Sequence, residues 1–165
     1  ESVTCVSKLA TDSANWNDGN DVAWTSTGDG GGVATLDRHE VAQTLHSSGF
    51  GFSLPPGKTV VGITVTLNIV CPGNGANGVE GGRVKVSNGT KSATKDLNLA
   101  GSLWPTTAED EVVGGDADTW EQSWSTTDFN TTLLRVELSG VEQSTDNADH
   151  DATVNSVTLK VCYED

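Results

Sequence analysis

Phe50–Cys71 reads FGFSLPPGKTVVGITVTLNIVC, and this stretch decides the fold. Ile63, Val65, Leu67 and Ile69 fall on one face of the run, and Thr64, Thr66 and Asn68 fall on the other. A period of two marks a half-buried β-strand. Val60 and Val61 extend the apolar run at its start, where both faces can be covered. Pro55-Pro56-Gly57 stands just ahead as a turn, because proline presets φ and glycine closes the loop. Phe50, Phe52 and Leu54 alternate with Gly51 and Ser53, which predicts a short lead-in strand and makes the stretch a central hairpin.

Composition extends that reading to the whole chain. With 165 residues the chain has the length of one ordinary domain, 1–165, and enough residues for a core. Its 19 glycines and abundant Thr, Ser and Asn favour strands and turns. No segment shows sustained 3.6-residue apolar periodicity, and no apolar run is long enough for a membrane-spanning helix. The net charge is −14, from 23 acidic and 9 basic residues, and the basic residues are scattered singly. Phosphate binding needs a basic patch, so nucleic acid is not an expected partner. The acidity serves solubility through mutual repulsion; a salt-rich habitat and divalent-cation binding are the sharper alternatives. The chain begins at Glu1 and contains no Met, so either a signal or propeptide has been removed or earlier residues lie outside this sequence; the first alternative leads us to expect an exported protein.

Cys5, Cys71 and Cys162 are the three cysteines. In an exported protein an odd count implies one bridge with a leftover thiol, or an intermolecular bond. First and last strands are often neighbours in sandwiches, so Cys5–Cys162 is the expected bridge, with Cys71 free or intermolecular. Three unpaired thiols are the alternative. The spacing has no CxxC and no nearby His, which makes a poor zinc site.

Taken in order, residues 2–9 alternate and read as a first strand. As a terminal strand, residues 1–10 can stay in their own sheet or complete a neighbour's. Residues 11–32 read as a long polar loop with Trp16 and Trp24 among Asp and Asn. Short extended segments follow at 33–37 and 40–46, and a Gly/Asn loop spans 72–82. Val84 and Val86 begin a hairpin whose turn is Asn88-Gly89, with its partner at about residues 91–97. Residues 98–132 read as a second irregular region carrying Trp104, Trp120 and Trp124. Leu134, Val136 and Leu138 mark another strand, 142–151 an acidic loop, and Val157, Leu159, Val161 and Tyr163 the last strand. About eight to ten strands without a βαβ rhythm imply an all-β, antiparallel two-sheet β-sandwich of jelly-roll type with long loops.

A set of landmarks adds to this reading. Gly49, Phe50, Gly51, Phe52, Leu54, Pro55, Gly57, Val60, Gly62, Ile63 and Val65 match the pattern G-F-G-F-x-[LI]-P-x-G-x-x-[VI]-x-G-[IV]-x-V. A Gly-Gly turn, a Trp pair, Asp128-Phe129-Asn130 and a closing Val157, Leu159, Val161 and Tyr163 follow. In these motifs the chain resembles a β-sandwich module of tailed-phage virion proteins and exported bacterial surface proteins. The resemblance implies a non-enzymatic surface or assembly role and brings no catalytic residues with it. The three cysteines depart from the pattern, as does Glu121, where a glycine often follows the tryptophan.

No motif with a catalytic mechanism accompanies these landmarks. His39, His46 and His150 form no HxxxH or HExxH arrangement, and there is no GxSxG elbow. Calcium is the cofactor to consider, since a hard cation takes oxygen ligands. Asn15, Asp18, Asp21, Asp116 and Asp118 are the candidate ligands, and Asp146 to Asp151 are a further acidic loop. Against this, Asp and Asn populate loops simply because they form turns. Each of the five tryptophans can plug an end of the sandwich through a bonded indole N–H, or can offer a platform to a sugar or a partner subunit. Trp120 and Trp124 flank only polar residues and are the expected ligand-binding pair. Asn88 and Asn130 begin N-x-T sequons.

Two functions follow from the sequence. One is a non-enzymatic structural subunit of an extracellular or virion-surface assembly, such as a coat, decoration or filament protein, forming homo-oligomers or polymers. The other is a carbohydrate-binding or adhesive module, with calcium as an option, whose partner is a glycan.

Overall fold

The computed structural model describes residues 2–16, 19, 21–26, 31–143 and 145–165. In chain order the strands are β1 (Val3–Leu9), β2 (Asp12–Trp16), β3 (Thr25–Ser26), β4 (Gly32–Leu36), β5 (Thr44–Ser48), β6 (Val60–Val70), β7 (Val79–Glu80), β8 (Arg83–Ser87), β9 (Ser92–Asp96), β10 (Glu109–Gly115), β11 (Arg135–Ser139), β12 (Glu142–Gln143) and β13 (His150–Glu164). Every strand pair is antiparallel. There is no α-helix among the described residues, only the short 3-10 turns Ala100–Ser102 and Thr126–Phe129.

One sheet has the order β10-β6-β13-β4-β3, and β1 also pairs with β13. The second sheet has the order β2-β5-β11-β8-β9. Ile63, Val65, Leu67 and Ile69 of β6 and Val157, Leu159 and Val161 of β13 point into the same core as Leu45, Val84, Val86, Val136 and Leu138 of the second sheet. The shared core makes the arrangement sandwich-like.

β13 has β6 on one side along most of its length. Its other side is divided: residues 150–154 pair with β4 and residues 158–164 with β1. Between the two, the Ala10 amide donates to the Val157 carbonyl at 2.9 Å, and the Thr11 amide donates to Ser48 in the second sheet. The chain therefore changes sheets at Ala10–Thr11. In the β1–β13 register Cys5 lies opposite Cys162, and the two form a disulfide.

The predicted hairpin at Phe50–Cys71 does not form. Pro55-Pro56-Gly57 is a turn, but Phe50–Leu54 joins no sheet, and β6 instead pairs with the distant β10 and β13. The physical reason is that the backbone of Leu54 is bonded by a side chain. Its amide donates to Asn130 Oδ1 at 2.8 Å, and its carbonyl accepts from Asn130 Nδ2 at 2.9 Å. Phe50 and Phe52 are buried and stack, with Phe129 against the edge of Phe52.

Four regions expected to be irregular contain strands, among them the 72–82 loop, which holds β7. β2 lies inside the 11–32 segment and β10 inside 98–132. Both are sheet edges of polar composition, and the Glu109-Asp110-Glu111 run on β10 blunts that edge against pairing with another chain. The acidic 142–151 segment contains β12 and the start of β13. Within the 11–32 segment, Asn17, Asp18, Asn20 and Asp29 lie outside the described residues, as does Glu1.

The loop after β10 lies flat on the start of β6. A Cβ on Gly62 would stand 2.0 Å from the Asp116 carbonyl oxygen, so only glycine allows the approach. The Ile63 amide donates to Asp118 O at 2.9 Å, and the Ile63 carbonyl accepts from the Trp120 indole at 2.9 Å. Trp120 and Glu121 then turn the chain with φ of 57° each. This is the left-handed region, which glycine adopts more readily than glutamate.

Two outcomes follow. Glu121 is exposed, so Glu121→Gly should raise the unfolding free energy by about 1 kcal/mol, read by urea titration, because relief of the strain outweighs the added freedom of the unfolded chain. Cys5→Ser should lower it by about 2–4 kcal/mol, since the bridge closes nearly the whole chain into a loop. Reductant should have the same effect on the unsubstituted protein and none on the variant.

Candidate functional site

The tryptophans separate into two groups. Trp24, Trp104, Trp120 and Trp124 are only 2–4% exposed. Their indole N–H groups donate to the backbone carbonyls of Gln43, Gly81, Ile63 and Thr119 at 2.6–3.1 Å. Trp120 and Trp124 are thus not the exposed pair expected from their polar neighbours. Trp120 is drawn inward by the Ile63 carbonyl, and Trp124 packs against Phe129 with ring centroids 5.3 Å apart.

Trp16 is the exposed one, at 62%. It ends β2, the edge strand of the second sheet, in register with Thr44 of β5. The alternation of that strand puts Trp16 on the outer face, with Ala14 opposite His46. The Trp16 ring is stacked on the His46 imidazole, with centroids 5.2 Å apart and planes within 4°. His46 lies opposite Glu137 of β11, and Glu137 lies opposite Lys85 of β8. Four neighbouring strands therefore contribute to one patch.

The polar contacts of the patch centre on Glu137. Its Oε1 is 3.3 Å from His46 Nε2, and its Oε2 accepts from Arg135 Nε at 2.9 Å. Lys85 makes no ion pair among the described residues. Trp16, His46, Lys85, Arg135 and Glu137 line a shallow depression of about 320 Å³. An aromatic face beside hydrogen-bonding and charged groups is the composition of a small-molecule site. A larger cleft of about 850 Å³ lies between β9 and β10, where Arg83, Lys95, Asp96 and Glu142 line it together with several glycines and no aromatic ring.

Three of the candidate calcium ligands, Asn15, Asp116 and Asp118, are engaged with other groups. Asn15 pairs its side-chain amide with the Trp24 backbone, donating to the carbonyl and accepting from the amide. Asp116 holds Lys160 Nζ at 2.5 Å, and Asp118 holds Lys95 Nζ at 3.0 Å. Burial pushes the Asp118 carboxyl up, but the Trp120 amide and Lys95 outweigh this and hold it below its ordinary value. Asp21 is half-buried, and Asp18 lies outside the described residues. Among the described residues, the one cluster of His, Cys, Asp and Glu at ligand spacing is Cys5, Asp116 and Cys162, and its two sulfurs are bonded to each other.

The Cys5–Cys162 bridge is present as expected, and Cys71 is free. Cys71 is fully buried, which removes the option of an intermolecular bond from this residue in the folded chain. Burial, aided by Asp151, pushes its thiol up to about 11. The histidines are dispersed: His39 beside Arg38, His46 at Glu137 and His150 at Asp146.

The Asp128-Phe129-Asn130 motif serves the fold. Phe129 is fully buried, and Asn130 fixes Leu54. Asp128 accepts from Lys91 Nζ at 2.8 Å and from the Ser125 amide at 2.9 Å. Burial raises the Asp128 carboxyl, but these donors outweigh it, and the net shift is downward. Both sequon asparagines spend their side-chain amides on backbone, Asn88 on the Asp128 carbonyl and Asn130 on Leu54. Comparison with protein-family models and with curated protein sequences finds no match.

Sequence reasoning missed Trp16 because its strand reads as DSANW, with no apolar alternation to mark it. Once β2 is placed at an edge, its period of two assigns Trp16 to the outer face. Trp16→Ala should therefore change stability by less than about 1 kcal/mol, whereas Trp120→Ala should cost about 3–5 kcal/mol. Acrylamide quenching of the native protein should report one accessible indole, and Trp16→Ala should abolish that component.

Proposed function

We propose that this chain is a non-enzymatic structural subunit of an extracellular or virion-surface assembly, built as a two-sheet sandwich of jelly-roll type. The observation that carries this reading is the exposed first strand. Among the described residues β1 pairs only with β13, so its other edge offers backbone N–H and C=O groups to a further strand. Val3 and Leu9 stand at its two ends, 52% and 58% exposed. Strand addition by a second copy would cover both. The β10 edge, by contrast, carries three consecutive acidic residues, Glu109, Asp110 and Glu111, that oppose such pairing.

The disulfide supports an oxidising location outside the cytoplasm. No helix among the described residues is long and apolar enough to cross a membrane. The resemblance to virion and surface modules points the same way. The assembly reading does not require calcium; of its candidate ligands, Asp116 and Asp118 hold lysines.

A carbohydrate-binding or adhesive module is the second reading, favoured by the exposed Trp16 face. The two readings differ in solution. Material purified from its source without reductant should run as a discrete particle or filament of many copies. Val3→Lys with Leu9→Lys should return it to a single chain with unchanged circular dichroism. A 17.1 kDa monomer at every concentration would contradict assembly.

A further inference from the structure

We infer that the Trp16 face of the second sheet binds an acidic saccharide, a pyranose ring bearing a carboxylate or sulfate. This rests on the glycan-binding reading and specifies its ligand.

The aromatic platform is already organised. One face of the Trp16 indole is taken by His46, stacked at 5.2 Å and within 4° of parallel. His46 is in turn positioned by Glu137 at 3.3 Å. The ring is thus held in orientation while 62% of the residue stays exposed. The C–H face of a pyranose ring covers apolar aromatic surface of this kind and leaves its hydroxyls free for polar contacts.

The polar groups then select the charge of the sugar. Glu137 is the carboxylate of the patch, and both its oxygens are in use, Oε1 towards His46 and Oε2 towards Arg135. Arg135 spends Nε on Glu137, and its two terminal nitrogens have no partner among the described residues. The Lys85 ammonium has none there either. What remains open to a ligand is therefore a set of donors with two positive charges, Lys85 and Arg135, against one engaged carboxylate. A neutral sugar would leave these donors facing hydroxyls alone, whereas a carboxylate or sulfate accepts charge-assisted bonds from both. Such a cationic patch contrasts with the chain's net charge of −14. That background opposes a long polyanion such as nucleic acid, which would have to run over the acidic surface, and leaves a short charged saccharide favoured.

The test is calorimetric titration of the full chain with oligosaccharides of equal length in three arms: a uronate series, a sulfated series and a neutral series. Binding is expected in the uronate or the sulfated arm, and which of the two responds identifies the anion. Trp16→Ala should weaken it about tenfold or more, the factor expected for one stacked ring. Lys85→Gln and Arg135→Gln should each weaken the acidic sugar severalfold, with circular dichroism unchanged. Equal binding of neutral and acidic sugars, indifferent to Lys85→Gln, would overturn the acidic assignment and leave glycan binding standing. No binding in any arm would overturn both. Binding that survives Trp16→Ala would overturn the site.

Discussion

The pairing of β6 with β13 is the constraint on which the rest of the molecule depends. It runs from Val60 opposite Tyr163 to Val70 opposite Thr153, with two local register shifts. The inward residues along it, Ile63 to Ile69 and Val157 to Val161, are 0–1% exposed. β10 attaches to the far side of β6, while β4 and β1 share the far side of β13. The loop carrying Asp116, Asp118 and Trp120 lies on the first residues of β6. Because β13 is the last strand, this spine joins residues about 80 to 100 positions apart, and the sheet can close only when both segments are present.

The most buried elements were the most legible. In β6, β8, β11 and the second half of β13 the apolar residues alternate in sequence because one face of each meets the core, although Thr64 and Cys162 are buried on the other face. Asn88-Gly89 marked the β8–β9 turn correctly, and adjacency of the chain ends led to the Cys5–Cys162 bridge. The edges were not legible. β2 and β10 contribute few apolar residues to the core, so nothing in their patterns sets them apart from polar loops. Phe50 to Leu54 misled in the opposite direction. Their alternation is real, but Phe50 and Phe52 pack against each other, and the Asn130 side chain takes the place of a partner strand.

The tryptophans show why local polarity does not report exposure. Trp120 and Trp124 sit among polar residues, yet tertiary contacts bury both. Trp16 is exposed because it ends an edge strand on the outward phase, a property of sheet order and not of its neighbours in sequence. The two surfaces on which the proposals rest are close along the chain. β1 offers its open edge in the first sheet, the chain crosses at Ala10–Thr11, and β2 ends on Trp16 in the second. The proposed subunit contact at β1 and the proposed saccharide contact at Trp16 involve different residues on different sheets, so the two proposals are compatible.

Native-state hydrogen exchange, followed residue by residue, tests the central claim most directly. If the β6–β13 pairing is the spine, the amides of Ile63 to Ile69 and Val157 to Val161 that bond across it exchange slowest, only through global unfolding. Amides of β10 and β2 exchange earlier, through local opening of the edges. Exchange of the β6 and β13 amides as fast as those of the edge strands would contradict the account.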